Sequence, residues 1–196
     1  MIIYLDTETS GLRPGQICQL SYIIQNGKST IAKNYFFSVD YVEYGAFAVH
    51  GFSVEKLEKL SGGKGFECFI DQVEKDFNSA DVICAHNSTF DFSFLRKEFE
   101  RCRRDFEPKN TFCSMKNSIT ACKLIRPNSG GYKYPKLSEL CAHLGITDQI
   151  IDRYSKALFG EKSSFHDARF DTTALYLAVN VGVEKIPDFA RLKQFL

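Results

Sequence analysis

Two acidic residues stand at the end of the first apolar segment of the chain. Residues 2–5 are apolar or aromatic and lead directly into Asp6, Thr7 and Glu8. Side chains alternate along a strand, so Asp6 and Glu8 would share one face, about 6.6 Å apart along the chain. Two carboxylates beside a core repel each other, whereas Mg²⁺ and Mn²⁺ prefer such oxygen ligands. The pair therefore predicts a divalent-metal site, unless the strand ends first and leaves two solvated acids.

A third acid follows a second apolar segment. In "ICAHNSTFDFSFL" we predict a buried strand that ends at His86 and Asn87, then a helix with Asp91 in its first turn. The positive end of the helix dipole favours an acid there without any metal. The alternative is that Asp91 supplies a third metal carboxylate, at the carboxyl edge of a strand beside the first.

The remaining candidates lie in "SSFHDARFDTTALYLAV", where His166 and Asp171 are five positions apart. On an α-helix this offset is a rotation of roughly 140°, so the two side chains would not share a face. We expect His166 just before the helix or in its loose first turn, and Asp171 on the helix facing the sheet. The alternatives are a surface or capping histidine and a solvent-facing acid, with Asp167 as the acid that interacts with the helix dipole.

The segments that would position these residues follow an α/β pattern. Three strand-like segments come first, "MIIYLDT", "QICQLSYIIQNGK" and "STIAKNYFFSVD", with an Asn26-Gly27 hairpin signal between the last two. Two short strands, "DVICAHN" and "NTFCSM", then alternate with helices, and the last third is mainly helical. The order predicts a central mixed five-stranded sheet, with three antiparallel strands and then two parallel ones, flanked by helices.

Composition limits the class of protein. A chain of 196 residues with 44% hydrophobic and 25% charged residues is typical of one globular domain, which we expect over residues 1–196. No apolar run reaches the roughly 18 residues that span a bilayer, and no signal peptide is recognisable. The seven cysteines form no C-x-x-C pair, which argues against disulfides and a cysteine-rich zinc site and favours a reducing cytoplasm.

Three segments, "DTETSGL", "HNSTFDFSFL" and "HDARFD", together resemble the exonuclease motifs of the DEDDh family of 3′→5′ exonucleases. That family includes the proofreading epsilon-type subunits of bacterial replicative polymerases, RNase T and the TREX nucleases. The resemblance spans residues 2–176 and implies a ribonuclease H-like fold. It also implies two divalent metals per site, Mg²⁺ or Mn²⁺, held by four acids: Asp6, Glu8, Asp91 and Asp171.

The resemblance further implies the role of each residue in phosphodiester hydrolysis. Asp6 would bridge both metals, Glu8 and Asp171 would lie on the nucleophile side, and Asp91 would act on the leaving-group side through water. His166 would take the proton of the attacking water, because imidazole titrates near neutral pH.

Substrate contacts are expected around the acids. Leu12 and Phe94 would flank the terminal base, although a turn residue and a core residue are the respective alternatives. The segment "FAVHGFS" resembles the family's His-Gly segment, and the backbone after Glu8 would approach the terminal sugar. The expected substrate-binding residues are Thr7, Thr9, Gly11, Leu12, His50, Asn87 and Phe94. "YKYPK" interleaves aromatic and basic residues, either to grip a strand backbone or as a plain surface turn.

The main hypothesis is a metal-dependent 3′→5′ exonuclease of proofreading or repair type. It would act on single-stranded or frayed DNA 3′ ends and release nucleoside 5′-monophosphates. The alternatives are an exoribonuclease of the RNase T or oligoribonuclease type and a catalytically silent nucleic-acid-binding module. A stand-alone enzyme or a domain that joins a polymerase partner would both fit, with no membrane association.

Overall fold

A computed structural model describes residues 1–127, 130–160 and 166–196 of the chain. Within these residues five strands form one mixed sheet. They are β1 (Ile2–Thr9), β2 (Ile17–Asn26), β3 (Ser29–Phe36), β4 (Val82–Ala85) and β5 (Thr111–Cys113).

The order of strands in the sheet is β3-β2-β1-β4-β5. The first three strands are antiparallel, whereas β4 runs parallel to β1 and β5 runs parallel to β4. The α/β ribonuclease H-like class and the predicted mixed sheet are therefore confirmed. Because β1, β4 and β5 are parallel, their carboxyl ends meet at one edge of the sheet, where ligand sites of α/β proteins commonly form.

Nine α-helices occur within the described residues. The first four are α1 (Tyr44–His50), α2 (Val54–Ser61), α3 (Ile70–Ser79) and α4 (Ser88–Arg101). The others are α5 (Ser114–Asn117), α6 (Ile119–Cys122), α7 (Leu137–Leu144), α8 (Asp148–Phe159) and α9 (Ala168–Lys185). Two 3₁₀ segments span Phe66–Cys68 and Pro187–Phe195. No described helix has both the length and the apolar character needed to cross a membrane.

Period-2 alternation along β1 divides the core between the two faces of the sheet. Ile2 and Tyr4 pack in the cluster that contains the apolar face of α9. Ile3 and Leu5 pack in the cluster that contains the apolar faces of α3 and α4. The next residues of β1 continue the same alternation, so the core packing determines which way each of them points.

Local signals explain most element boundaries. Ser53 caps α2 by accepting a hydrogen bond from the backbone N–H of Lys56, and Gly62 ends the helix in the left-handed conformation. The sequence did not indicate α1, which lies in the His-Gly segment, and "KNSITACKL" forms two short helices instead of one.

Candidate active site

The acidic pair lies on a continuous strand. β1 extends through Thr9, so the alternative that the strand ends before Glu8 is wrong. β4 pairs with β1 only from Ile2 to Tyr4, and β1 therefore projects beyond its parallel neighbour. Asp6 and Glu8 continue the Ile2 and Tyr4 face, toward α9, and a register irregularity follows at Glu8/Thr9. Such irregularities are common beside functional sites, where they redirect side chains.

Asp171 reaches this pair from the first turn of α9. The helix is held on the sheet by a 3.1 Å hydrogen bond from Thr172 Oγ1 to the Ser21 carbonyl, and Ser21 is the cross-strand partner of Asp6. One carboxylate oxygen each of Asp6, Glu8 and Asp171 lies within 4.8 Å of the other two. We call these three side chains the acidic cluster.

Asp91 approaches from the other face of β1. It lies in the first turn of α4, almost fully buried, and accepts a 2.9 Å hydrogen bond from Thr7 Oγ1. The Thr7 backbone also bonds this carboxylate. Asp91 lies outside the acidic cluster, but its charge raises the pKa values of Asp6 and Glu8, after the larger effect of burial. The structure thus brings the four predicted acids to one end of β1.

Burial raises the pKa values of all four acids. Burial, reinforced by the charge of Asp171, raises the pKa of Glu8 to about 8 and that of Asp6 well above its usual range. Burial raises the pKa of Asp171 to about 7, although a hydrogen bond from the His166 backbone opposes the shift. It also raises the pKa of Asp91 to about 7 against the hydrogen bonds from Thr7. The four carboxyl groups therefore either keep their protons or, when ionised, need cations to balance their negative charges.

The donor set fits a divalent cation. Among the ion pairs of the described residues, none joins a lysine or arginine to Asp6, Glu8, Asp91 or Asp171. The cluster offers several hard oxygen ligands at close range, which suits Mg²⁺ and Mn²⁺.

His166 lies next to the acidic cluster. It is exposed, precedes α9, and its backbone N–H donates a 3.2 Å hydrogen bond to Asp171 Oδ2. Its φ of +61° is uncommon for a residue with a side chain. Such outliers cluster at active sites because the surrounding structure must hold them in place.

Asp167 supports the histidine segment and does not join the cluster. Its side chain caps α9 by accepting a 3.0 Å hydrogen bond from Arg169 N, and it forms a 2.7 Å ion pair with the Arg169 guanidinium. Burial would raise its pKa, but the hydrogen bonds from Arg169 and Gln19 outweigh that effect and lower it.

The loop after β1 is attached to α1. His50 Nδ1 accepts a hydrogen bond from Phe52 N, so Nε2 carries the proton and donates to the Thr9 carbonyl at 3.2 Å. Burial lowers the pKa of His50, which favours this neutral form. Thr9 Oγ1 in turn donates to the Gly11 carbonyl, where a methyl group would overlap the Glu43 carboxyl group. Leu12 is 84% exposed beyond this point.

The two remaining predicted substrate residues differ in placement. Asn87 is exposed at the start of α4, with a positive φ of 69°. Phe94 has no exposed surface and packs in the core with its ring 4.9 Å from Phe90. The expectation that Phe94 flanks a base is therefore dropped in favour of the core alternative, because a base cannot reach a fully buried ring. Phe90, one residue before Asp91, is the half-buried member of the pair.

Sequence reasoning missed Gln19. This fully buried residue lies opposite Glu8 in the β1–β2 register, accepts a hydrogen bond from Ala168 N, and donates to Asp167 Oδ1 at 3.0 Å. The available signal was a polar side chain inside the otherwise apolar strand segment "ICQLSYII".

The chain is similar in sequence to known proteins of two names. No protein-family model matches the chain. DNA polymerase III subunit epsilon of Escherichia coli (strain K12) is 27% identical over 194 residues, which cover 92% of this chain and 71% of that protein. The protein of the same name from Rickettsia felis is 29% identical over 150 residues, covering 74% of this chain and 62% of that protein. A segment of 58 residues, 30% of the chain, is 33% identical to 6% of the 3′-5′ exonuclease DinG of Staphylococcus haemolyticus.

The fold, the acidic cluster and these similarities agree with the three sequence motifs. The chain is therefore similar over most of its length to proteins named DNA polymerase III subunit epsilon, in agreement with the family resemblance of its three motifs.

Proposed function

We propose that the chain is a divalent-metal-dependent 3′→5′ exonuclease that acts on single-stranded or frayed DNA ends and releases nucleoside 5′-monophosphates. The observation that carries the proposal is the convergence of three carboxylates within 4.8 Å, from strand and helix residues more than 160 positions apart in the sequence. The similarity to DNA polymerase III subunits supports DNA as the substrate and a polymerase as a partner.

The acids would hold two cations, Mg²⁺ or Mn²⁺, through Asp6, Glu8 and Asp171, with Asp91 completing the site. When bound, such cations neutralise charge on the phosphate and make water more acidic. The packing of α9 on the sheet holds Asp171, and two hydrogen bonds from Thr7 orient Asp91, so both carboxylates would need little rearrangement to serve as ligands.

His166 would accept the proton of the attacking water at an imidazole nitrogen. The water oxygen bonds to phosphorus, the bond to the 3′-oxygen breaks, and the leaving oxygen takes a proton from solvent. The exposed side chain can exchange this proton, while the backbone bond to Asp171 keeps the residue beside the cluster. Asp167 already bonds to Arg169 and Gln19, so it is not available for this role.

The segment from Thr7 to Leu12 would contact the terminal nucleoside. His50 fixes the Thr9 carbonyl, and the absence of a side chain at Gly11 makes room for the Glu43 carboxyl group beside this backbone segment. Leu12 is exposed and can cover one face of the terminal base, while Asn87 lies at the start of α4 with its side chain in solvent.

The direct test is a ladder assay with 5′-labelled single-stranded DNA, mismatched duplex DNA and RNA of matched sequence. We expect the wild-type protein to shorten DNA from the 3′ end with Mg²⁺ or Mn²⁺ and not with EDTA. His166→Ala should reduce the rate by at least a hundredfold, because general-base catalysis contributes about 10²–10⁴-fold. Asp6→Asn should reduce it at least as much, because it removes a carboxylate that would hold the cations.

Asp105→Asn is the matched control, since this exposed acid lies beyond the far end of α4 and should leave the rate unchanged. Folding of each variant is checked by circular dichroism. Full activity of both Asp6→Asn and His166→Ala would refute the mechanism. Faster cleavage of RNA than of DNA of matched sequence would mean that RNA is the substrate.

A further inference from the structure

A cavity of about 510 Å³ adjoins the acidic cluster. Asp171 and His166 line it together with the segment before α7, which includes Tyr134 and Pro135. Its volume falls within the range of about 300–1,000 Å³ that is typical of small-ligand sites. We call it the Tyr134 cleft; the remaining lining residues are His86, Met115, Lys136, Leu137 and Ser138.

The Tyr134 cleft lies on the opposite side of the cluster from the loop that follows β1. His86 follows β4 and Met115 follows β5, so the cleft covers the carboxyl ends of these two strands. Leu12 and His50 instead belong to segments attached to the end of β1, which β2 flanks on its other side. A strand with its terminal nucleoside beside Leu12 would therefore have its preceding nucleotide beside the Tyr134 cleft.

His86 holds the cleft in shape. Its Nε2 donates to the Pro135 carbonyl at 3.0 Å, which leaves Nδ1 to accept from the Ser114 hydroxyl at 2.8 Å. Burial lowers the pKa of His86 to about 4, so the ring is neutral and stays in this arrangement at physiological pH. The segment that carries Tyr134 is thereby attached to the sheet edge.

The lining has the chemistry of a single-strand binding site. Tyr134 is 49% exposed and Met115 is half-buried, so an aromatic face and an adaptable apolar side chain are both accessible. Lys136 is exposed at the rim and has no ion-pair partner among the described residues, whereas Lys133 is paired with Glu139. Aromatic stacking combined with an exposed cation is the usual way to hold bases and phosphates of a single strand.

We propose that the Tyr134 cleft binds the nucleotide that precedes the scissile phosphate, with its base on Tyr134 and a backbone phosphate on Lys136. This inference rests on the proposed exonuclease function and adds a subsite to it. The cleft is continuous with the acidic cluster, and the cation at its rim complements a phosphate, so the occupant is the substrate strand.

The test compares substrates that do and do not fill the cleft. A thymidine oligonucleotide has a preceding nucleotide, whereas the p-nitrophenyl ester of thymidine 5′-monophosphate has only a small leaving group there. Tyr134→Ala should raise KM for the oligonucleotide about tenfold, from the usual contribution of one stacked base, and leave the ester unaffected. Tyr134→Phe should restore the oligonucleotide KM, and Lys136→Ala should raise it more steeply at low salt than at high salt.

Tyr132→Ala is the matched control. Tyr132 is a similarly exposed tyrosine two positions away, does not line the cleft, and pairs with Ile125 through its backbone. It should behave as wild type on both substrates.

A cross-link supplies a readout that is independent of turnover. A cleavage-resistant phosphorothioate oligonucleotide with 5-iododeoxyuridine at the second position from the 3′ end should cross-link to Tyr134, and the same label at the terminal position should not. An unchanged KM in Tyr134→Ala, or a cross-link from the terminal base alone, would overturn the subsite. If the wild-type protein hydrolyses neither substrate, the proposed function fails, and the cross-link still decides whether a strand occupies the cleft.

Discussion

Leu12 and Phe94 are apolar residues close in sequence to catalytic candidates, and their surroundings differ completely. Leu12 is 84% exposed on the loop after β1, whereas Phe94 is 0% exposed on the core-facing side of α4. Apolar residue type and spacing suit both positions to base stacking, but only exposure permits it. The residue before Asp91 makes the same point, since Phe90 keeps part of its ring accessible.

Alanine substitutions should separate these two roles. Phe94→Ala is expected to lower the free energy of unfolding by about 3–5 kcal/mol, because it opens a cavity in the core. Leu12→Ala should change stability by less than about 0.5 kcal/mol but raise KM for single-stranded DNA several-fold. Urea titration and steady-state kinetics of the two variants provide the comparison. A stable Phe94→Ala protein with a raised KM would show instead that the Phe94 ring contacts substrate.

The start of α9 depends on a side chain from the neighbouring strand. Gln19 on β2 accepts from Ala168 N at 3.1 Å and donates to Asp167 Oδ1, so both ends of its amide are used. Asn34 on β3 accepts the second amide hydrogen at 2.8 Å. Two strands and the start of α9 are thereby connected next to His166, which precedes Asp167 in the sequence. The helix dipole and the cap fix where α9 begins, and Gln19 fixes where that beginning lies relative to Glu8.

Gln19→Leu should therefore lower kcat, because the start of α9, which carries His166 and Asp171, loses hydrogen bonds that hold it. KM should stay nearly unchanged, because the loop with Leu12, which would contact the base, is not affected. We expect a decrease in kcat of tenfold or more, with a loss of about 1–3 kcal/mol in stability from the unpaired Asp167 and Ala168 groups. The measurement is single-turnover kinetics on the nucleotide ester, together with urea titration.

Gln25→Leu is the control at the same scale. Gln25 is a buried amide on the same strand that bonds Tyr4 and Asn180 at the other end of β2. It should cost similar stability without affecting kcat. If both variants reduce kcat equally, Gln19 contributes to stability and has no specific positioning role.

For the whole molecule, the sequence predicted those features of the fold that depend on residues close together in the chain. Alternation in "MIIYLDT" and the Asn26-Gly27 turn were readable, and the sheet class followed from strand order. The motif resemblance predicted which acids to consider.

Long-range packing was not readable. Contacts between distant segments determine whether Phe94 lies in the core or at the surface. They also determine that Asp91 and the acidic cluster approach β1 from opposite faces, and that Gln19 supports α9. The Tyr134 cleft likewise forms only when the segment before α7 folds over the ends of β4 and β5. One sequence carries no direct signal for such pairings, because helix and strand periodicity describe only neighbours along the chain.

The raised pKa values of the acids make the stability of the whole chain depend on pH and cations. The pKa of Glu8 is raised to about 8 and those of Asp91 and Asp171 to about 7, from ordinary values near 4, because folding buries them. The folded state thus holds protons that the unfolded state has released, so their stabilising contribution is complete below about pH 4 and is lost as pH rises toward about 8. Mn²⁺ should therefore raise the melting temperature by several degrees at about pH 8.5 and much less at about pH 5, as measured by differential scanning fluorimetry.

Asp171→Asn should raise the metal-free melting temperature at the higher pH, because it removes one of the repelling charges. It should also reduce the response to Mn²⁺, because it removes one ligand, whereas Asp105→Asn should match wild type. An equal effect of Mn²⁺ at both pH values would mean that the cation binds elsewhere, since only a site that competes with these protons can respond to pH in this direction.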